Sequence, residues 1–249
     1  MGLRTTGRFP ARSVEYHKDE CMKFPGQGIR GCRSGRSPNG ELGPCLKGIL
    51  ISESDRLPAG IPELNVPPLD PLFIPIIRLN DNTGFDGNFT DIQVTGVGRA
   101  VNERNLDLTV DTKTGRLGLR MLIPSMHIVG QYKMTTNFLS FFFPVRPLTL
   151  SEGIFEAEFD FVRAQGGGTI REVNGRYRVD DIAIDFDLQG RKMEFKSQNG
   201  DPFAGIINTV VNDRETGREI LQEIKPEISE RISALVQRVL NNALREIPA

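Results

Sequence analysis

Chemistry in a protein needs acids, bases, nucleophiles or metal ligands at workable spacings, and this chain offers few. Its 249 residues hold two histidines, His17 and His127, and three cysteines, Cys21, Cys32 and Cys45. His127 stands between Met126 and Ile128 in an alternating run, which turns its imidazole towards water. The cysteines do not follow metal-ligand spacing, so no metal site is expected. Their odd number allows at most one bridge and leaves one thiol over. There is no G-x-S-x-G elbow, no Walker loop and no dinucleotide fingerprint. Gly166–Gly168 lies between strand patterns and reads as a flexible hairpin loop. Asp180 and Asp181 sit at a strand start and read as solvated. One modification pattern remains: Asn88-Phe89-Thr90 is an acceptor for N-glycosylation if the chain is exported. The expectation is a protein with no catalytic residue, no metal and no cofactor.

The bulk numbers narrow the classes further. A net charge of −1 gives no global basic footprint for nucleic acid. Arg30, Arg33 and Arg36 form a short basic run; a solvated loop is the plain reading, phosphate or membrane-surface binding the other. No run of apolar residues is long enough to span a bilayer. Residues 1–40 are rich in Gly, Arg and Ser, show no period and read as irregular. The first twenty residues lack the apolar core of a secretory signal. They read as a disordered tail or a misassigned start in preference to a transit peptide.

The elements that must position any site come next. Leu42, Leu46, Ile49, Leu50 and Leu57 recur at mostly helical spacing, and Pro58 and Gly60 stop that helix. "GIPELNVPPLDPL", residues 60–72, then fixes φ at Pro62, Pro67, Pro68 and Pro71. Neither helix nor central strand survives that, so a stiff, extended strap is expected, its Ile61, Leu64, Val66, Leu69 and Leu72 pressed onto a body. From about 74 to 200 the period is two. Leu117, Leu119, Met121 and Ile123 alternate, as do Met126, Ile128, Gly130, Tyr132 and Met134. Phe155, Ala157, Phe159 and Phe161 alternate against Glu156, Glu158 and Asp160. Short Gly- and Asn-rich turns such as "EVNG" between the runs predict antiparallel pairing. From about 203 the period is helical for some forty residues, through Phe203, Ile207, Val210, Ile220, Ile224, Ile228, Ile232, Leu235, Val239 and Leu244. Gly217 is a candidate break and Pro226 a candidate kink.

That helix must bury its stripe, and the inner face of the sheet is the only large apolar surface available. The fold expected is therefore α+β: a long C-terminal helix wrapped by a highly curved antiparallel sheet, with a short N-terminal helix. An elongated apolar slot could form along the seam. The strap would brace one end.

The strap, this order of elements and the C-terminal "INTVVNDRETGREILQEIKPEI" resemble the insect Takeout and haemolymph juvenile-hormone-binding proteins. The resemblance runs from about Cys32 to Ile247 and is strongest at Gly60–Leu72. It implies an irregular extension over 1–30 and a single domain over 31–249 with a super-roll fold of the TULIP kind. It implies a disulfide between Cys32 and Cys45; Cys21 has no counterpart. The juvenile-hormone carrier's second disulfide is also missing, which favours the Takeout branch. The family is extracellular, although this chain shows no signal sequence. Function would then be non-catalytic carriage of a small hydrophobic molecule, such as a juvenile-hormone-like terpenoid or a fatty acid. The protein would act as a monomer, without nucleic acid or stable membrane insertion, and with an unknown receptor as a further partner. The alternatives are a structural or interaction protein with a filled core, and an enzyme acting on lipids.

The candidate lining follows from which alternating residues face inwards: Met121, Ile123, Met126, Ile128, Tyr132, Phe155 and Phe159 on the sheet, Phe203 and Ile207 on the helix. The run "NFLSFFFPVRPL" adds Phe138, Phe141 and Phe143, for which core packing and tunnel lining both stay open. Methionines suit a wall that adapts to its contents. Tyr132 is a candidate to orient a polar head.

Overall fold

The computed structural model describes residues 42–80, 85–136 and 148–245. Helix α1 spans Leu42–Ser52. Six strands follow: β1 Leu72–Asn80, β2 Phe85–Thr95, β3 Leu106–Asp111, β4 Arg116–Thr136, β5 Leu148–Val173 and β6 Arg176–Ser197. Helices α2, Phe203–Asn212, and α3, Thr216–Leu244, complete the chain. The helical stretch read as continuous is thus divided at Asp213–Glu215. Asp213 Oδ1 accepts the amide protons of Glu215 and Thr216 and starts α3 there. Gly217 is buried inside α3, and Pro226 lies within the same helix.

All six strands are antiparallel, in the order β1-β2-β4-β5-β6, with β3 beside the first part of β4. Leu106 pairs Met121, and Thr95 pairs His127. Residues 122–126 of β4 therefore have no strand on that side, and Pro124, which has no amide proton to offer, falls in this gap.

The sheet curls because its strands are too long to lie flat on the helix. At about 3.3 Å per residue the 26 residues of β5 trace roughly 85 Å. The 29 residues of α3 extend about 44 Å. The bends fall at β-bulges. The register slips between Thr90 and Gln93 in β2 and between Asp160 and Arg163 in β5. It slips again opposite Asp181 in β6. At each a non-glycine residue has a left-handed φ: Asp91, Phe161 and Asp181.

Two sequence expectations fail at these bends. Phe161 does not follow Phe155, Ala157 and Phe159 inwards; the bulge turns it out and Val162 takes its place. Gly166–Gly168 is no hairpin loop but the interior of β5. A Cβ on Gly166 would lie 2.3 Å from the Ala183 carbonyl oxygen, so the strands approach too closely there for any side chain. The actual hairpin is Asn174–Gly175, both at positive φ, as a two-residue turn that matches strand twist requires.

The proline segment also differs from an extended strap. Ile61 and Val66 exchange both backbone hydrogen bonds, at 2.9 and 3.0 Å. The chain reverses between them through a 3-10 turn at Pro62–Leu64 and a left-handed Asn65. Gly60 at φ 85° lies so close to the backbone of Val66–Pro68 that only glycine fits. Amides of Leu69 and Asp70 bond back to the carbonyls of Leu57 and Pro58. The prolines stiffen a folded brace, and Ile61 and Val66 are buried by it.

Candidate functional site

Three apolar clusters line up between the sheet and the helices. The first joins α1, the brace, β3, the hairpin end of β5 and β6, and the end of α3; Leu46, Ile61, Val179, Leu240 and Leu244 fill it completely. The second lies around α2 and the start of α3, with Ile77, Ile92, Val94, Tyr132, Phe155, Phe195 and Val211 buried. The third, between them, is built on Ile123, Ala157, Phe159 and Val162. Met121 borders the first and third; Met126, Ile128 and Met193 border the second and third. The clusters form a continuous apolar column, with the adaptable thioethers at its joints.

The helix side of this column is less completely buried than its sheet side. Ile220, Leu221, Ile224, Ile228, Ile232, Val236 and Val239 pack against the three clusters. Yet from Arg218 to Val239 no residue of α3 is fully buried. One turn further, Leu240 and Leu244 are 2% and 0% exposed.

The helices are secured to the free edge of β6 by amide side chains. Asn208 and Asn212 each give and take a hydrogen bond with one residue of the strand, Phe195 and Met193 respectively, at 2.7–3.0 Å. Asn241 does the same with Val179 at 2.8 and 2.9 Å. Ser233 accepts the Ile184 amide proton at 2.8 Å. An asparagine amide offers one donor and one acceptor, as a strand residue does. The spacing fits, since four helical residues rise about 6.0 Å and two strand residues about 6.6 Å. On the opposite edge, Glu227 accepts the Arg78 amide proton at 3.3 Å. Lys225 pairs with Asp185 at 2.7 Å. Asn242 donates to the Leu64 carbonyl at 2.8 Å, tying the brace to the end of α3.

A polar chain marks the α2 end of the column. The Tyr132 hydroxyl lies 2.8 Å from Ser151 Oγ, and Ser151 donates to Asp201 at 3.0 Å. Ser197 donates to the same carboxylate, whose other oxygen accepts the Ala204 amide proton at 3.1 Å and caps α2. Burial, with the nearby Asp201 charge, pushes the Tyr132 phenol up, so it stays protonated. The Ser197 hydroxyl bond, reinforced by Ser151, holds Asp201 below the usual carboxylate range.

Met121, Ile123, Met126, Ile128, Tyr132, Phe155, Phe159 and Ile207 all belong to or pack against the column. Phe203 does not: it is 41% exposed, at the first position of α2, one turn before the inward Ile207. Helical spacing puts Phe203 and Ile207 on one flank and could not tell that only the second is covered. Phe138, Phe141 and Phe143 lie outside the described residues. Cys45 is disulfide-bonded, and its expected partner Cys32 lies outside them too. Asn88 is exposed on the outer face of β2. His127 is also on that face, opposite Thr95 and Glu158, but half-buried where full exposure was expected. Sequence reasoning missed Ser151, Ser197 and Asp201, which are far apart in the chain and follow no motif. Among the described residues no cluster of His, Cys, Asp or Glu could hold a metal ion, and no helix is long and apolar enough to cross a membrane.

A curled antiparallel sheet wrapped on a long C-terminal helix, with an apolar column between them, defines an α+β roll. The family model for haemolymph juvenile hormone binding protein matches residues 20–249, and the chain belongs to that family. Among solved structures it is similar to Takeout 1 of Epiphyas postvittana, at 15% identity and a TM-score of 0.62, over 84% of this chain and 94% of that one. At such identity the likeness shows the fold. A structure of lipopolysaccharide binding protein overlaps 76% of this chain and 38% of its own, at 15% identity and a TM-score of 0.40. No curated protein matches the sequence.

Proposed function

We propose that the protein is a non-catalytic, extracellular carrier of small hydrophobic molecules, such as terpenoids of the juvenile-hormone kind or fatty acids, held in an elongated tunnel between α3 and the sheet. The observation that carries this reading is the stretch Arg218–Val239, whose inward apolar side chains are left incompletely buried beside a fully packed end. Apolar surface facing inwards without being covered is surface on which a ligand can be desolvated. Family membership supports the same reading.

The energetics suit it. Each buried methylene contributes about 0.8 kcal/mol, so a fifteen-carbon chain gains on the order of 12 kcal/mol before ordering costs of several kcal/mol. The remainder corresponds to dissociation constants of roughly 10 nM to 10 μM. An apolar wall discriminates one methylene by only about 1–3 kcal/mol, so selectivity along the chain is loose. Displacement of a fluorescent fatty acid at micromolar protein tests the proposal. Saturable displacement by fatty acids or terpenoids is expected; none by any of them sinks it.

A further inference from the structure

The polar chain at the α2 end of the column has a fixed proton direction, and that direction selects a ligand chemistry. Asp201 is a carboxylate and can only accept. Ser151 has one hydroxyl proton, which goes to Asp201 at 3.0 Å. At the 2.8 Å contact the donor must then be Tyr132, with Ser151 accepting. The single proton of Tyr132 is thereby committed inside the protein. What its oxygen has left is acceptor capacity, and among the described residues no group donates to it. Tyr132 as a residue is 3% exposed, its ring set edge-on to Phe195 at 4.9 Å, with Met134, Phe155 and Ile207 in the same cluster. An acceptor this deep in apolar surroundings gains from a donor and gains nothing from a second acceptor.

We propose that Tyr132 receives the polar head of the cargo as a hydrogen-bond acceptor, so that the site prefers an alcohol or protonated acid over an ether, ester or carboxylate on the same apolar chain. The proposal rests on the carrier reading above and adds which head the tunnel selects. Ser151 and Asp201 are positioning residues: they touch no ligand and set which way the phenol proton points.

The test compares hexadecan-1-ol with hexadecyl methyl ether, each displacing N-phenyl-1-naphthylamine from the full chain. The alcohol should bind about two- to twelvefold tighter, the range of one hydrogen bond. Tyr132→Phe should bring that ratio to about one. Ser151→Ala should release the Tyr132 proton to the tunnel, so the ether gains and the ratio shrinks or inverts. A general loss of packing would weaken both probes together and leave the ratio as it was. Equal affinities in the unmodified protein, or a preference that survives Tyr132→Phe, overturns the inference while leaving the carrier intact. Failure of both probes to bind also overturns the inference; the carrier reading falls with it only if fatty acids and terpenoids fail to displace as well.

Discussion

Phe159 and Phe161 are the same residue type two positions apart, and alternation places both in the core. Phe159 is 2% exposed and Phe161 57%, because a bulge lies between them and gives Phe161 a φ of 52°. A left-handed φ costs a phenylalanine about 1–2 kcal/mol that glycine avoids. Phe161→Gly should therefore leave the melting temperature unchanged or raise it, whereas Phe159→Ala should cost about 3–5 kcal/mol in urea denaturation. A large loss from Phe161→Gly would mean that its ring contributes packing despite its exposure. Asp201 makes a second residue-scale prediction. A carboxyl whose folded pKa is depressed stabilises the protein above its unfolded value of about 3.9, and that contribution disappears as pH falls through the folded value. Stability should decline below about pH 4, less steeply in Asp201→Asn, which has already lost this linkage. Phe161 was misread because a bulge leaves no mark on composition. Asp201 was missed because its partners are distant in sequence.

Between β6 and the helices, a sheet edge is closed by side chains instead of a further strand. Unpaired edge groups invite association with other chains. Asn208→Ala and Asn212→Ala each strip an amide and a carbonyl of their partners, and each should cost about 1–3 kcal/mol. The double variant should also associate in a concentration-dependent way on size exclusion. A double variant that is stable and monomeric would show that water serves this edge equally well. Element type was legible in the sequence wherever periodicity was long: the helix at Leu42, the helical character from Phe203 onwards and the alternating runs came from spacing alone, but the division between α2 and α3 did not. Gly166–Gly168 was not, because a glycine demanded by close strand approach looks the same in sequence as one demanded by a turn.

Across the whole molecule the two ends differ. The α1 end is fully buried by the brace and the last turns of α3, while along the rest of the column the apolar side chains of α3 are only partly buried. Leu244→Ala should cost about 2–5 kcal/mol, as a filled core does. Ile224→Ala should cost about 1 kcal/mol or less, since its side chain is already partly uncovered. Equal costs would mean that the α3 side of the column is an ordinary core. Pro67→Ala and Pro68→Ala should each lower stability by about 0.4–1 kcal/mol through unfolded-chain entropy, read as a fall in melting temperature. A brace indifferent to both changes would not depend on its prolines for stiffness.

Local covalent and steric preferences act over a few residues, so the sequence by itself determined the helix at Leu42, the proline brace, the antiparallel alternation, the terminal helix and the resemblance in their order. Only the tertiary structure decided where the strands bend, that α2 buries Ile207 more than Phe203, and that Tyr132, Ser151 and Asp201 meet. Those outcomes depend on which surfaces are brought together across the roll, and neither period nor propensity encodes contact between residues so far apart.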